Sequence, residues 1–250
     1  METEYLGLLA AAAFVAGLVD SIAGGGGLLS FPAMLFAGMP PVQAIGTSKF
    51  FSTCGLCVST ANYARKRMIS WRFIRTGAVF AVIGSLLGSL TVLSIDNDWL
   101  RTLVLIFLPF AALSLLIRPD GKMERVIQHE KPKTIALATG MSFYDGFFGP
   151  GTGSFLAIGA HKLLGLNLLQ ATALAKPFNL ISNVVALIIF GAFGKVVWPV
   201  AIPMAICNMI GSWSGSHLAM RQGSALVRKA LLCVFAVLFI SLALKSLKAC

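Results

Sequence analysis

Two stretches of sequence decide the fold: Asp20-Ser-Ile-Ala-Gly-Gly-Gly-Gly27 and Asp145-Gly-Phe-Phe-Gly-Pro-Gly-Thr-Gly153. Each lies inside a long apolar segment, starts with an aspartate and continues into a cluster of glycines. Because glycine weakens a helix by roughly 1 kcal/mol relative to alanine, each cluster predicts a break in the helix that contains it. Apolar segments interrupted at matching positions of two halves are the best sequence indication of a transporter's binding site.

The rest of the chain repeats in the same order. The offset between the two halves is 125 residues at Asp20 and Asp145, and 127 residues at the later positions. The later matches are Gln43 with Gln170, Lys49 with Lys176, Gly84 with Gly211, Gly88 with Gly215 and Arg101 with Arg228. We therefore predict a first membrane repeat over 1–120, a linker over 121–133 and a second membrane repeat over 134–250.

Composition indicates a membrane protein. Of the 250 residues, 57% are hydrophobic and 12% are charged, and the mean hydropathy is +0.86. A soluble domain of this size needs more polar residues to cover its surface. The net charge of +11 comes from lysines and arginines that cluster between apolar segments, as they do in cytoplasmic loops, so it does not indicate nucleic-acid binding.

Each repeat is predicted to contain four hydrophobic elements, of which the first is broken by its glycines. The elements span 5–37, 40–64, 75–95 and 99–117 in the first half, and 134–164, 167–190, 196–219 and 227–247 in the second.

Basic loops predict the topology. The loops 65–75, 118–133 and 221–229 are rich in lysine and arginine and are expected in the cytoplasm. Three elements separate the loops 118–133 and 221–229. Two loops on the same side of the membrane must be separated by an even number of crossings, so one of these elements does not cross. The broken segment is the one expected to re-enter, because its second limb, 153–164, is about 18 Å long against a hydrocarbon core of about 30 Å. We expect an all-α membrane protein with inverted repeats, six crossings and both termini outside; eight full spans are the alternative.

The glycine clusters predict an anion site. A helix that starts after such a break presents free N–H groups and the positive end of its dipole. We expect the helices starting near Leu28 and Ser154 to present such ends. The glycines assigned to substrate binding are Gly24, Gly25, Gly26, Gly27, Gly149, Gly151 and Gly153. The alternative is a hinge in which the glycines contact no ligand.

Two lysines strengthen this prediction. Lys49 and Lys176 each lie nine residues after an expected helix start, at Pro40 and Asn167, and hence about 14 Å deep, near the bilayer midplane. A lysine there costs roughly 2.5–3.5 kcal/mol and needs a partner. The partner is either an anionic substrate or, as internal ion pairs, Asp20 for Lys49 and Asp145 for Lys176. These aspartates are also candidates for proton coupling.

Polar side chains surround the lysines. Ser48, Asn179 and Asn183 are assigned to substrate binding, and the two asparagines share a helix face with Lys176. Hydrogen bonds between helices explain the same residues without a ligand. The small residues of Gly84-x-x-x-Gly88 and its repeat favour close helix packing, within the chain or in a homodimer.

No catalytic motif accompanies these residues. The histidines lack metal-ligand spacing, and the sequence contains neither a hydrolase nor a Walker motif. We therefore expect no enzyme activity, no cofactor and no metal site.

Both motifs resemble a known family. Asp20-Ser-Ile-Ala-Gly-Gly-Gly-Gly-Leu-Leu with Pro32, and Tyr144-Asp-Gly-Phe-Phe-Gly-Pro-Gly-Thr-Gly-Ser-Phe, are similar to the TauE/SafE sulfite exporters and, within that family, to the YfcA-like branch of membrane transporters. The resemblance covers nearly the whole chain. It implies a multi-pass secondary transporter of the bacterial inner membrane for sulfite or small organosulfonates.

The sequence thus predicts proton-coupled export of a small oxyanion. The alternatives are a passive anion channel and a membrane assembly protein that transports nothing.

Overall fold

The computed structural model describes residues 4–95, 99–100 and 130–247, with side chains described up to residue 223 and at residue 226. Within these ranges every regular element is a helix. The helices are α1 Glu4–Ala23, α2 Gly27–Phe36, α3 Pro41–Arg65, α4 Trp71–Leu93, α5 Glu130–Phe147, α6 Thr152–Leu164, α7 Leu168–Ala192 and α8 Trp198–Leu247.

Three of the described helices are long and apolar enough to cross a membrane: Tyr5–Ala23, Trp71–Leu93 and Leu168–Ala192. The chain is therefore an all-α membrane protein, as its composition predicts.

The starts of α3 and α7 confirm the predicted positions of the two lysines within their helices. Pro40 precedes α3 and Pro41 occupies its first turn, where a missing N–H costs nothing. Asn167 caps α7 through a reciprocal capping box with Gln170, in which each side chain accepts from the other residue's backbone N–H.

Each glycine cluster breaks its segment into a helical hairpin. A Cβ added to Gly26 would meet the backbone of Ala16, ten positions earlier, so α2 folds back along α1. In the second half, a Cβ at Gly159 would meet the Leu137 side chain, so α6 folds back along α5. The second limbs have 10 and 13 residues, about 15 and 20 Å, which is shorter than a bilayer core of about 30 Å.

In each half, the first helix of the hairpin packs on the third predicted element of the other half. A Cβ at Gly84 or Gly88 of α4 would meet the carbonyl oxygens of Thr139 and Phe143 on α5. At Gly211 and Gly215 of α8, the obstructing carbonyls are those of Phe14 and Leu18 on α1. The two contacts are equivalent in the repeat, because the matching glycines lie 127 residues apart and the matching carbonyl groups lie 125 residues apart. The small-residue motifs thus serve packing within the chain.

A polar layer separates two apolar clusters. Along α7, Phe178 belongs to one cluster and Ala186 to the other. Between them lie the buried polar side chains of Asn179, Ser182 and Asn183. The layer coincides with the tips of the two hairpins, which places the candidate site at the centre of the fold.

At two predicted boundaries the helices extend further than the sequence indicates. The predicted loop 221–229 contains a break: two helical stretches of α8 meet at Gly223, whose φ of 69° and ψ of −158° are not helical. Glycine tolerates that conformation, so a single residue replaces the expected loop. Residues 130–133, predicted as linker, form the first turn of α5. The predicted element 99–117 and the linker before residue 130 lie almost entirely outside the described residues.

Candidate functional site

The tips of the two hairpins touch at the centre of the fold. A Cβ at Gly24 would meet the backbone of Gly153 and Ser154, and one at Gly27 would lie 3.1 Å from the Cα of Pro150. The Ser154 hydroxyl donates to the carbonyl oxygen of Ala23 at 3.1 Å. The glycines therefore allow two chain breaks to approach more closely than larger residues permit.

A cavity of about 40 Å³ opens beside this contact. A water molecule needs roughly 10–15 Å³ by this measure, so the cavity has room for a few water-sized groups. Most predicted site residues line it: Asp20, Gly26, Gly27, Ser48, Lys49, Asp145, Gly149, Gly151, Gly153, Asn179 and Asn183.

The remaining predicted site residues, Gly24, Gly25 and Lys176, are not among the residues that line this cavity. Gly24 and Gly25 form the turn between α1 and α2 with φ of 76° and 89°, values that favour glycine. Lys176 has no exposed surface and points to the backbone and carboxylate of Asp20. The turn glycines thus shape the hairpin, and Lys176 holds it.

The lysines and aspartates pair between the halves. Lys49 Nζ lies 3.0 Å from Asp145 Oδ1, and Lys176 Nζ lies 3.3 Å from Asp20 Oδ2. Each ammonium also donates to the backbone carbonyl of the same aspartate. The predicted pairing of Asp20 with Lys49 and of Asp145 with Lys176 is therefore wrong. It assumed contacts inside each half, whereas each hairpin tip packs against the lysine helix of the other half.

Asp145 is held on both oxygens. Oδ1 accepts a hydrogen bond from Lys49 Nζ. Oδ2 accepts hydrogen bonds from the Ser182 hydroxyl at 2.6 Å and from the Asn183 amide at 2.8 Å. The side chain is 2% exposed. The Asp145 carboxylate thus accepts hydrogen bonds from one cationic and two neutral donors.

Asp20 is held less tightly. Its side chain is 21% exposed, and its recorded side-chain partner among the described residues is Lys176. A Cβ at Gly153 would lie 3.3 Å from Asp20 Oδ1, so this oxygen faces the start of α6. The two aspartates therefore differ in exposure and in the number of donors.

Two helix starts at the cavity carry no side-chain cap. Gly26 precedes α2 and Gly151 precedes α6, and neither helix has a side-chain hydrogen bond at its N-cap. By contrast, Asn167 caps α7. The first N–H groups of a helix have no acceptor within the helix, and they attract anions. The N–H groups of Leu28, Leu29 and Thr152 already donate to the carbonyls of Gly25, Gly26 and Gly149. The candidate donors to an anion are therefore the N–H groups of Gly27 and Gly153, which line the same cavity as Lys49.

Gly149 makes room for the lysine. A Cβ at this residue would lie 2.7 Å from Lys49 Nζ and 3.4 Å from Asp145 Oδ1. Its φ of 94° also favours glycine. Gly149 therefore has both a conformational and a spatial reason to be glycine.

The cavity also includes residues that the sequence interpretation did not select, above all Asn208 of α8. Asn208 is 5% exposed, and its amide donates to the Ala13 carbonyl at 2.9 Å. The residue that matches it in the first half is Ala81, so the repeat gave no indication of it. A lone amide inside an apolar helix was the available signal. The other lining residues outside the predicted site are Ala16, Phe31, Phe51, Ser52, Leu56, Pro150 and Thr152.

The donors around the cavity are an ammonium, amides, hydroxyls and backbone N–H groups, which suit an oxyanion. In the described part of the chain, no group of three or more His, Cys, Asp or Glu side chains is placed to hold a metal ion.

Comparison with known proteins agrees with this description. Residues 9–242 match the family model described as "Sulfite exporter TauE/SafE". The chain is 38% identical to the probable membrane transporter protein ORF9 of a Sinorhizobium species, over 95% of this chain and 92% of that protein. It is 37% identical to the probable membrane transporter protein YfcA of Escherichia coli K12, over 93% of this chain and 87% of that protein. No solved structure matches.

Proposed function

This chain belongs to the TauE/SafE sulfite exporter family of membrane transporters, and we propose that it exports a small oxyanion such as sulfite or an organosulfonate. We further propose that transport is coupled to protons and takes place across the bacterial inner membrane, which the chain crosses several times.

The observation that carries the proposal is Lys49, an ammonium that lines the same cavity as two helix starts without a side-chain cap. Lys49 is 2% exposed. In a low-dielectric interior its charge acts strongly on any ligand that replaces its partner. An anion that enters the cavity competes with Asp145 for this ammonium, while Ser182 and Asn183 remain as donors to the carboxylate. The neutral donors thus let Lys49 change partners without leaving Asp145 unsolvated.

Size and chemistry favour a compact oxyanion. The cavity accommodates a few water-sized groups, and its amide and hydroxyl donors come from several directions. The sulfur in the proposed substrates rests on the family description alone.

The outer surface supports placement in lipid. Large apolar side chains on α4 and α8 are exposed, among them Val79, Ile83, Ile206 and Ile210. We propose that membrane lipids cover these faces. A homodimer that uses one of them is a second arrangement, which crosslinking of the reconstituted protein distinguishes from a monomer.

Flux into liposomes tests the function. Purified protein is first screened by thermal shift against sulfite, sulfate, thiosulfate, taurine and sulfoacetate. The anion that stabilises it is then followed in proteoliposomes with and without a proton gradient. We expect saturable flux and gradient-driven accumulation. Flux without accumulation indicates a passive channel, and the absence of both binding and flux for all five anions contradicts the proposal.

A further inference from the structure

We propose that Asp20, and not Asp145, takes up the coupling proton, and that it does so in the same state that binds the anion. This proposal rests on the proposed transport function and names the residue and the direction of the coupling. It follows from the unequal surroundings of the two carboxylates and from the total charge of the site.

Asp145 is unsuited to proton uptake. Lys49, Ser182 and Asn183 all donate to its two oxygens, and the side chain is 2% exposed. Each donor has a second acceptor, which is the Asp145 backbone carbonyl for Lys49 and the Asn179 carbonyl for Ser182 and Asn183. Protonation nevertheless weakens three hydrogen bonds to a charged acceptor at once, and such bonds are roughly twice as strong as neutral ones. The carboxylate also remains held by the neutral donors when Lys49 turns to the substrate. Asp145 thus stays charged through the cycle.

Asp20 has the opposite surroundings. Its side chain is 21% exposed and lines the cavity, so a proton can reach it from the cavity. Its recorded side-chain donor is Lys176, at the longer distance of 3.3 Å. Lys176 also donates to the backbone carbonyl of Asp20, and this hydrogen bond survives protonation of the carboxylate. Protonation of Asp20 therefore weakens one recorded side-chain hydrogen bond, against three at Asp145.

The sequence explains the difference between the two carboxylates. Ser182 and Asn183, the neutral donors to Asp145, match Gly55 and Leu56 of the first half at the offset of 127 residues. Neither glycine nor leucine has a side-chain donor. Gly55 also has no room for one, because a Cβ there would lie 2.6 Å from the Ser212 hydroxyl and closer still to Asn208. The first half therefore lacks the two groups that fix the carboxylate of the second.

Few other charged or titratable groups face Asp20. The helix α7 contributes Lys176, and α3 contributes Lys49 on the cavity wall and Tyr63, whose hydroxyl donates to the Ser21 carbonyl at 3.0 Å. Asp145 lies across the cavity on α5. From α2, α6 and α8 the cavity wall receives uncharged residues. The charge of the site is thus set by two lysines and two aspartates.

The total charge decides the direction of coupling. The two ion pairs sum to zero, so an anion alone gives the buried site a charge of −1. When Asp20 gains a proton, the empty site has a charge of +1, and a monoanion restores neutrality. Because an isolated charge in low dielectric is expensive, the proton and the anion bind together and move in the same direction. Export on this scheme is driven by the outward concentration gradient of the anion, and each monoanion leaves with one proton.

Transport of methanesulfonate in proteoliposomes tests this proposal, because a sulfonate stays ionised and cannot carry the proton itself. With the outside more acidic by about one pH unit, neutral cotransport concentrates the anion inside about tenfold. We expect Asp20→Asn to retain methanesulfonate exchange and to lose this accumulation, and Asp145→Asn to lose exchange. Exclusion of the anion from acid-driven liposomes, or unchanged accumulation in Asp20→Asn, overturns the proposal.

Two controls keep the test decisive. If the single variant does not fold, the double variant Asp20→Asn with Lys176→Met removes both charges of the pair and leaves no unpaired ammonium. Its empty site is neutral and disfavours a monoanion, so it serves the infrared measurement and not the exchange assay. Infrared titration of the reconstituted protein gives a readout that needs no transport. The carbonyl stretch of a protonated carboxylic acid, increased by methanesulfonate, is expected in the wild type and absent from Asp20→Asn. Its persistence in Asp20→Asn overturns the assignment even if the protein transports a different anion.

Discussion

The two ion pairs occupy matching positions in the two halves but differ in their surroundings. Lys49 lines the cavity and faces an aspartate that two neutral groups also hold. Lys176 is fully buried and faces an aspartate that is 21% exposed. A duplicated framework thus positions four charges, and a few unmatched residues give the two pairs different chemistry. Breaking each pair in turn separates the roles.

Substitution of each lysine in turn is expected to have the largest effect and to show that the two ion pairs have different roles. Lys49→Ala should abolish anion transport, because the cavity loses its ammonium, while Ser182 and Asn183 still hold Asp145 and keep the protein folded. Lys176→Ala leaves Asp20 without its cation. Breaking a buried ion pair costs about 3–5 kcal/mol, and partial exposure of Asp20 should reduce this loss of stability. Flux in proteoliposomes and thermal unfolding in detergent measure the two effects. Wild-type rates in the Lys49 variant would show that the anion takes another route.

The hairpin tip provides the next comparison, between a glycine at the contact and one outside it. Gly24→Ala forces a left-handed φ at roughly 1–2 kcal/mol and overpacks the backbone of Gly153 and Ser154 at about 1–3 kcal/mol. We expect a loss of about 2–5 kcal/mol in stability, together with impaired transport. Gly140→Ala is the matched control, because a Cβ there meets nothing within 4 Å. Equal stability of the two variants would contradict the proposed contact between hairpin tips.

The sequence predicted the parts of this site that depend on local chemistry. The glycine clusters marked both breaks, and Pro40 and Asn167 marked the helix starts that place Lys49 and Lys176. The exchange of partners between halves could not be predicted, because the repeat offset aligns positions without showing which half each position contacts. Asn208 was missed for a related reason, since its match, Ala81, is apolar. Tertiary packing decides both features.

Glycine-to-alanine substitutions at matching contacts between the halves should reduce stability by similar amounts. Gly84→Ala and Gly211→Ala each place a methyl group against a carbonyl oxygen, that of Thr139 or Phe14. Overpacking of this kind costs about 1–3 kcal/mol. We expect thermal unfolding to show similar losses for the two variants, and Gly191→Ala, which meets nothing within 4 Å, to show none. A large difference between the two would mean that the duplicated contacts are not energetically equivalent.

The last comparison makes the two carboxylates more alike. Ser182→Ala removes one donor from Asp145, and a hydrogen bond to a charged group contributes about 1.5–3 kcal/mol. Leu56→Asn does the reverse, since it places an amide in the first half at the position that matches Asn183. Leu56 lines the cavity and is 2% exposed, so the new amide has a route to Asp20. If the missing donors keep Asp20 available to protons, Leu56→Asn should lower the pH at which acid-driven accumulation begins. Leu56→Met keeps the volume without an amide and should leave that pH unchanged. An identical shift in both variants would assign the effect to packing and remove the donor argument.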